Sequence, residues 1–158
     1  MVVLVISDTH GHHENLQQVL SRVQPDMIYH LGDVEGCDKY IEKMAGCPLY
    51  VVRGNCDFNP ELPDDLVLEL GKHRIFLTHG HRYDVRFHNQ KLVRQAKLRD
   101  CDMAFYGHTH CPELVYEEDV MVLNPGSITQ PRQEGRRPSY AVLQVDNQGE
   151  ITANIAYL

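Results

Sequence analysis

Short apolar runs alternate along the chain with amphipathic stretches. Five of the runs are rich in apolar β-branched or aromatic residues and predict buried strands; they span residues 2–6, 27–31, 49–52, 75–77 and 103–106. Between the first two runs, Leu16, Val19, Leu20 and Val23 fall at i, i+3, i+4 and i+7, which predicts an amphipathic helix. Residues 37–44 repeat this spacing before Gly46. The first third of the chain therefore predicts a β-α-β-α-β unit with parallel strands and right-handed crossovers.

Turn signals divide the rest of the chain into hairpins and one more helix. Residues 66–70 and 74–77 flank Gly71-Lys72 and predict a hairpin. Two further hairpins are predicted at residues 113–123 and 139–156, and a helix at residues 89–98. The strand count predicts two sheets packed on each other, with helices outside. Because no repeat or linker interrupts the pattern, we expect residues 1–158 to form a single domain.

Composition and charge narrow the function classes. The 158 residues include 15 Lys and Arg against 22 Asp and Glu, and the net charge of −7 gives no strong nucleic-acid signal, although a small phosphorylated substrate is allowed. The 5 cysteines lack a Cys-x-x-Cys motif, which favours reduced thiols. Neither a signal peptide nor an apolar stretch of roughly 18 residues is seen. We expect a cytoplasmic protein without a membrane span, and a homodimer is left open.

Each of the five apolar runs leads into side chains that can bind a metal ion. The segments are Asp8-Thr9-His10, Gly32-Asp33, Gly54-Asn55-Cys56-Asp57, Thr78-His79-Gly80-His81 and Gly107-His108-Thr109-His110. In α/β sheets, ligands bind at the carboxyl ends of the strands. Asp8 and His10 lie two residues apart and project to the same side of an extended backbone. The mixed nitrogen and oxygen donors suit Mn²⁺, Fe²⁺, Zn²⁺ or Ni²⁺ better than Ca²⁺ or Cu⁺, so we predict a dinuclear metal site.

These five motifs, in this order, resemble those of the calcineurin-like metallophosphoesterases, and the short chain resembles their small YfcE-type phosphodiesterase branch. The resemblance extends from residue 2 to at least Arg132. It implies an α/β (α+β) fold, a four-layer αββα sandwich of two mixed sheets. It also implies two metals, for which Mn²⁺ is expected first. One would be held by Asp8, His10, Asp33 and His110, and the other by Asp33, Asn55, His79 and His108, with Asp33 bridging.

The resemblance and general metal chemistry together predict the reaction. Two metals about 3.5–4 Å apart can share a hydroxide and clamp a phosphoryl group. We expect in-line attack of this hydroxide on a small organic phosphodiester, with Asp33 bridging the metals and Asn55 orienting a phosphate oxygen. Many relatives place a histidine after the Gly-Asn pair to protonate the leaving group, whereas this chain has Cys56. A thiol is a poorer general acid at neutral pH, which predicts turnover that depends on a good leaving group.

Alternatives remain open at several positions. Residues 124–127 and Arg132 also resemble a segment of the small branch; the segment is either a plain turn or a loop in which Ser127 or Arg132 contacts substrate phosphate. His81, two residues beyond His79, is left open as a site residue. The alternative functions are a phosphomonoesterase and a catalytically weak scaffold for protein partners, since the same fold serves as a scaffold in the retromer complex. A structural zinc site is disfavoured, because such sites are usually four-coordinate and rich in cysteine.

Overall fold

The computed structural model describes residues 1–158 and contains ten strands and three helices. The strands are β1 (Val2–Ile6), β2 (Met27–His30), β3 (Leu49–Val51), β4 (Asp65–Leu70), β5 (His73–Thr78), β6 (Met103–Phe105), β7 (Pro112–Glu117), β8 (Val120–Pro125), β9 (Ser139–Val145) and β10 (Ile151–Tyr157). The helices are α1 (Glu14–Arg22), α2 (Asp38–Ala45) and α3 (Gln90–Lys97). All the predicted strands and helices are present, and their ends move by one to a few residues. No helix has the length and apolarity that a membrane crossing needs.

The strands form two mixed sheets of five strands each, with the orders β10-β9-β1-β2-β3 and β4-β5-β6-β8-β7. In the first sheet β1, β2 and β3 are parallel, as the predicted β-α-β-α-β unit requires, and the β9-β10 hairpin joins the outer side of β1 antiparallel. In the second sheet β5, β6 and β8 are parallel, while β4 and β7 are antiparallel edges. All three predicted hairpins are confirmed.

The alternation of side chains in β1 builds two cores at once. Val3 and Val5 point into the core between the two sheets, whereas Leu4 and Ile6 pack against α1 and α2 on the other face. In β5, Ile75 and Leu77 join the inter-sheet core, while the side chain of Phe76 packs towards α3. Three separate apolar cores therefore lie between four layers. This confirms the predicted αββα sandwich.

Five parallel strands end at one side of the molecule, where the site lies. β3 and β6 end at Val51 and Phe105, one residue earlier than predicted. The backbone still continues the ladder at these points, because Val52 N–H donates to the His30 carbonyl and Tyr106 N–H to the Leu123 carbonyl. The carboxyl ends of β1, β2, β3, β5 and β6 carry the metal-binding segments predicted from the sequence.

Candidate metal centre

The loops that follow these strands carry an unusual backbone conformation. Of the eleven residues other than glycine with positive φ, five are predicted ligands: Asp8, His10, Asp33, His108 and His110. The left-handed region is uncommon for such residues, and Asp and His tolerate it better than most. Backbone of this kind collects at functional sites, where the surrounding structure holds it in place. Asp8 and His10 are therefore not in the extended conformation expected from the sequence, and the left-handed backbone turns the side chains at the strand ends towards a common centre.

A first group of donor atoms comes from Asp8, His10 and His110. The Nε2 atom of His110 lies 3.1 Å from Oδ1 of Asp8 and 3.5 Å from Nε2 of His10. Asp8 and His110 are buried, whereas His10 is partly exposed. The structure therefore brings these three predicted ligands together.

A second group is formed by Asp8, Asp33 and His79. Nε2 of His79 lies 3.4 Å from Oδ2 of Asp33 and 3.1 Å from Oδ1 of Asn55. The same Asp33 oxygen lies 3.8 Å from Nε2 of His10, in the first group. Asp33 thus reaches both groups, as a bridging carboxylate must, and Asp8 is common to the two.

The protonation pattern of three imidazoles tests whether a cation fits here. Each Nδ1 faces an acceptor that has no proton to give: Glu35 Oε1 for His10 at 2.7 Å, the Leu31 carbonyl for His79 at 2.6 Å, and the Gln130 carbonyl for His110 at 2.7 Å. Nδ1 therefore carries the proton, and in a neutral ring Nε2 presents a lone pair. The three Nε2 atoms are the ones that face the carboxylates. Oδ1 of buried Asp8 makes no aligned hydrogen bond even to His110. Such convergent lone pairs fit divalent metal ions.

The charges of the centre point the same way. Burial alone would raise the pKa of Asp8, but the imidazoles of His110 and His79 more than offset this effect, so the pKa lies below its usual value. Burial alone would lower the pKa of His79. The carboxylates of Asp33 and Asp8 outweigh this effect, so the pKa lies above its usual value. A proton and a metal ion therefore compete for the same Nε2 lone pair, as at other metal sites.

His108 and His81 lie beside this centre. The ring of His108 packs edge-on against His79, with centroids 5.1 Å apart, and its backbone N–H donates to Oδ2 of Asp8 at 3.1 Å. Burial, then His79 and Arg86, lower the pKa of His108 to about 4, which keeps the ring neutral. His81, left open by the sequence, lies with its ring centroid 5.3 Å from that of His79. Both rings line the same open cavity as Asn55.

Asp57 holds the metal-binding loops together, a role that sequence reasoning missed. Its carboxylate is buried and accepts three backbone hydrogen bonds, from Asp33 and Gly54 at 2.8 Å and from Glu35 at 2.6 Å. Gly54 is required in this arrangement, because a Cβ there would overlap the Asp33 carboxylate. The position of Asp57 directly after Gly-Asn-Cys is the only sequence signal for this role.

His30 ties the first two loops together from behind the centre. It is fully buried, and its Nδ1 accepts a hydrogen bond from the Gly32 N–H at 3.2 Å. Nε2 must then carry the proton and donate to Oγ1 of Thr9 at 3.0 Å. Thr9 in turn donates to the Asp33 carbonyl at 3.4 Å. The neutral His30 ring thereby links the Asp8-Thr9-His10 loop to the Gly32-Asp33 loop.

Ser127 is not placed as a substrate contact. It is fully buried, its hydroxyl donates to the Asp8 carbonyl at 2.9 Å, and its oxygen accepts from the N–H groups of Thr129 and Gln130. With these partners the hydroxyl fixes the backbone behind Asp8, so the predicted contact with phosphate is replaced by a structural role. The side chain of Arg132 is exposed, and its backbone N–H donates to the His110 carbonyl at 3.0 Å. Arg132 therefore stays a candidate contact at the rim.

Cys56 stands at the edge of the centre. Its backbone N–H donates to Oδ1 of Asp33 at 2.8 Å, and the amide of Asn55 donates to its sulfur at 3.3 Å. Burial, and after it the carboxylate of Asp33, raise the pKa of the thiol to about 11. The group thus stays protonated at neutral pH, as a weak acid next to Asn55.

Comparison with known proteins identifies the family of this chain. The family model for the calcineurin-like phosphoesterase superfamily domain matches residues 1–148. A probable metallophosphoesterase, YsnB of Bacillus subtilis, is 36% identical over 149 residues, covering 93% of this chain and 86% of that protein. A crystal structure of a predicted phosphoesterase from Streptococcus pneumoniae matches with a TM-score of 0.79 and 32% identity, covering 99% of this chain and 97% of the other. The chain therefore belongs to the calcineurin-like phosphoesterase superfamily, as the resemblance implied.

Two more distant structures share the fold. Wild-type Vps29 of Entamoeba histolytica, complexed with Zn²⁺, matches with a TM-score of 0.79 at 24% identity and covers 99% of both chains. An archaeal phosphodiesterase matches with a TM-score of 0.72 at 22% identity, covering 99% of this chain and 100% of the other. At these identities the likeness shows the architecture alone. A phosphodiesterase and a Vps29 protein are thus both built on this sandwich.

Proposed function

We propose that this protein is a metal-dependent phosphodiesterase that hydrolyses a small organic phosphodiester. The observation that carries the proposal is the convergence of imidazole Nε2 atoms and carboxylate oxygens from four strand ends, with Asp33 reaching both groups. Asp8, His10, Asp33 and His110 would hold one divalent metal, and Asp33, Asn55, His79 and His108 the other. When bound, the metals would polarise the phosphoryl group and lower the pKa of water.

The residues around the metals have separate tasks in this proposal. The Asn55 amide lies 3.1 Å from Nε2 of His79 and borders an open cavity, so it can orient a phosphate oxygen at the centre. Asp57 and Glu35 hold the loops and the His10 ring in place. Cys56 is a proton donor next to Asn55, and its raised pKa makes it a weak one. Activity should therefore favour esters whose leaving group needs no proton.

The surroundings of the centre favour diesters over monoesters. An open cavity of about 310 Å³ borders Asn55 and His108, and a second of about 350 Å³ borders Cys56 and Glu35. Phosphorus at the centre would have room for an ester group on both sides. A monoester would bring a second negative charge close to the carboxylate of Glu35, which raises the cost of binding it.

The experiment compares two substrates with one leaving group. Metal-free protein is given Mn²⁺ and tested on bis-p-nitrophenyl phosphate and p-nitrophenyl phosphate, alongside Asp33→Asn. We expect metal-dependent cleavage with the diester faster, and loss of both activities in Asp33→Asn. The matched control is Asp119→Asn, an exposed turn residue with positive φ, which should behave as the wild type. Faster cleavage of the monoester would overturn the proposal in favour of a phosphomonoesterase.

The scaffold alternative is tested by the same assay. All seven predicted ligand side chains are present in this chain. The similarity to Vps29 supports a shared fold and does not extend to a shared function. If Mn²⁺ binds but neither ester is cleaved with Mn²⁺, Ni²⁺ or Zn²⁺, catalysis is not the function of the centre. A protein-binding role would then replace the proposed one.

A further inference from the structure

The segment at residues 80–88, between β5 and α3, forms one wall of the open cavity beside Asn55 and His108. The cavity has a volume of about 310 Å³, and its lining on this side comes from His81, Asp84, Val85, Arg86 and Phe87. Since Asn55 and His108 are also predicted metal ligands, the cavity opens directly from the candidate metal centre. A substrate group attached to phosphorus would extend along this wall.

Several contacts hold the segment in place, so its exposed side chains have a fixed position beside the cavity. Val85 is buried in the core beneath α3, and Arg82 donates to Asp64 at 2.7 Å. The hydroxyl of Tyr83 donates to Asp65 at 2.7 Å. The N–H of Phe87 donates to the Asp84 carbonyl at 2.9 Å and closes a turn. These contacts fix the direction of the segment towards the cavity.

Two side chains that the segment presents to the cavity, those of Arg86 and Phe87, are exposed to solvent. Phe87 is 85% exposed, while Arg86 is exposed and forms no ion pair or hydrogen bond with its side chain. The other charged residues nearby are engaged, Arg82 with Asp64 and Asp84 with Lys91. A single exposed apolar residue is ordinary on a protein surface. Here an aromatic ring and a free guanidinium stand together in the wall of the cavity that opens from the metal centre.

We propose that this cavity receives a nucleoside ester group of the substrate, with the Phe87 ring stacking on the base and Arg86 contacting a phosphate oxygen. The inference rests on the proposed phosphodiesterase function and names its substrate class. Aromatic rings bind bases by stacking without strong sequence preference, and a guanidinium binds phosphate through paired donors. The second cavity also has an exposed ring, Phe58, but it offers Glu35 instead of a cation. Because Cys56, the proposed proton donor for the leaving group, lines the second cavity, the retained nucleoside arm is placed on the Phe87 side.

The test uses two diesters that release the same p-nitrophenolate. One is thymidine 5′-monophosphate p-nitrophenyl ester, and the other is methyl p-nitrophenyl phosphate, so only the retained arm differs. The wild type should show the lower KM for the thymidine ester. Phe87→Ala should shift the ratio of the two KM values about tenfold towards the methyl ester, the size of one stacking contact. Phe87→Tyr should keep the ratio, because a stacking ring remains.

Variants of Arg86 and of a distant aromatic residue, Tyr116, complete the experiment. Arg86→Ala should raise KM for both esters by a similar factor, and Arg86→Lys should restore part of the loss. Tyr116→Ala removes an aromatic side chain that is 70% exposed on β7 and serves as the matched control, with the wild-type ratio. An unchanged ratio in Phe87→Ala overturns the inference. A tenfold shift in Phe58→Ala instead would place the nucleoside in the other cavity and also overturn it.

A binding measurement separates this inference from the proposed function. Calorimetry on the Mn²⁺-loaded protein compares thymidine 5′-monophosphate with inorganic phosphate. Tighter binding of the nucleotide, lost in Phe87→Ala, supports the cavity assignment even if neither ester is cleaved, in which case the phosphodiesterase proposal fails alone. Equal affinities for the two probes contradict the inference, whether or not the esters are cleaved.

Discussion

The Nδ1 atom of His10 and Oε1 of Glu35 lie 2.7 Å apart at the rim of the candidate metal centre. The Glu35 backbone that makes this contact has a φ of 51°, and its N–H is held by Asp57. A carboxylate that accepts from Nδ1 fixes the tautomer of the ring and makes Nε2 a better metal ligand. Glu35 therefore acts through His10 and is a positioning residue.

Replacing Glu35 should weaken metal binding. We expect Glu35→Ala to raise the dissociation constant for Mn²⁺ about tenfold or more, the usual effect of losing such an outer partner. Glu35→Gln should do so less, because its amide oxygen can still accept from Nδ1. Calorimetric titration of the metal-free protein measures the change. Glu134→Ala, at an exposed glutamate away from these contacts, is the control, and equal affinities for all four proteins would remove Glu35 from the account.

Loss of the Asp57 carboxylate should destabilise the protein even without metal. Three backbone N–H groups from two loops donate to it, and hydrogen bonds to a buried charged group contribute about 1.5–3 kcal/mol each. We expect Asp57→Ala to lower the free energy of unfolding by about 3 kcal/mol, since the loops relax in part. Asp57→Asn keeps one acceptor oxygen and should lose less. Urea unfolding in the presence of a chelator measures both variants. A loss of unfolding free energy below about 0.5 kcal/mol in Asp57→Ala would contradict the role of Asp57 in holding the two loops together.

His30 should make the stability of the metal-free protein depend on pH. Burial lowers the pKa of His30 from 6.5 to about 4. Between these values the unfolded chain binds a proton at His30 that the folded chain excludes. The contribution of the neutral His30 ring to the free energy of unfolding is therefore fully present above pH 6.5 and is lost as pH falls towards 4. The lost free energy amounts to about 3 kcal/mol.

The variant His30→Gln isolates this contribution, because it has no group that titrates in the same range. The gap in unfolding free energy between wild type and His30→Gln should narrow by about 3 kcal/mol from pH 7 to pH 4. Urea unfolding at a series of pH values follows it. A gap that stays constant over the range would show that His30 is not held neutral.

Cys56 should limit the range of leaving groups. In a series of aryl diesters, we expect kcat of the wild type to fall steeply as the leaving-group pKa rises, because the weakly acidic thiol gives little assistance. Cys56→His should flatten this dependence, with the largest gain for the poorest leaving group. The slope of log kcat against leaving-group pKa is the measurement. Parallel slopes for the two proteins would mean that position 56 does not supply the proton.

The scaffold and the meeting of the candidate ligands at one edge can be predicted from the sequence for a physical reason. Buried parallel strands require continuous apolar runs, and the polar residue after each run necessarily lies at the shared edge of the sheet. That rule places Asp8, His10, Asp33, His79 and His110 at one edge, and the family resemblance implies how they divide into two groups. Period-two alternation likewise predicts that Val3 and Leu4 face different cores.

Other parts of the centre depend on tertiary contacts without a local pattern. Glu35 meets His10 across 25 positions, and Asp57 meets the N–H of Asp33 across 24. The spacing of these residues along the sequence does not indicate the contacts. Ser127 shows the reverse: it has the residue type of a phosphate contact, but its hydroxyl is buried against the Asp8 carbonyl. The cavity wall that contains Arg86 and Phe87 forms only when residues 80–88 fold beside Asn55 and His108.

We propose that the strand ends build a two-metal centre for diester hydrolysis. This proposal is tested most directly by restoring Mn²⁺ to the metal-free protein while counting bound metal and following cleavage of bis-p-nitrophenyl phosphate. We predict no cleavage without metal, full activity at two Mn²⁺ per chain, and neither full binding nor activity in Asp33→Asn. Cleavage by the metal-free protein, or full activity retained in Asp33→Asn, would contradict the account.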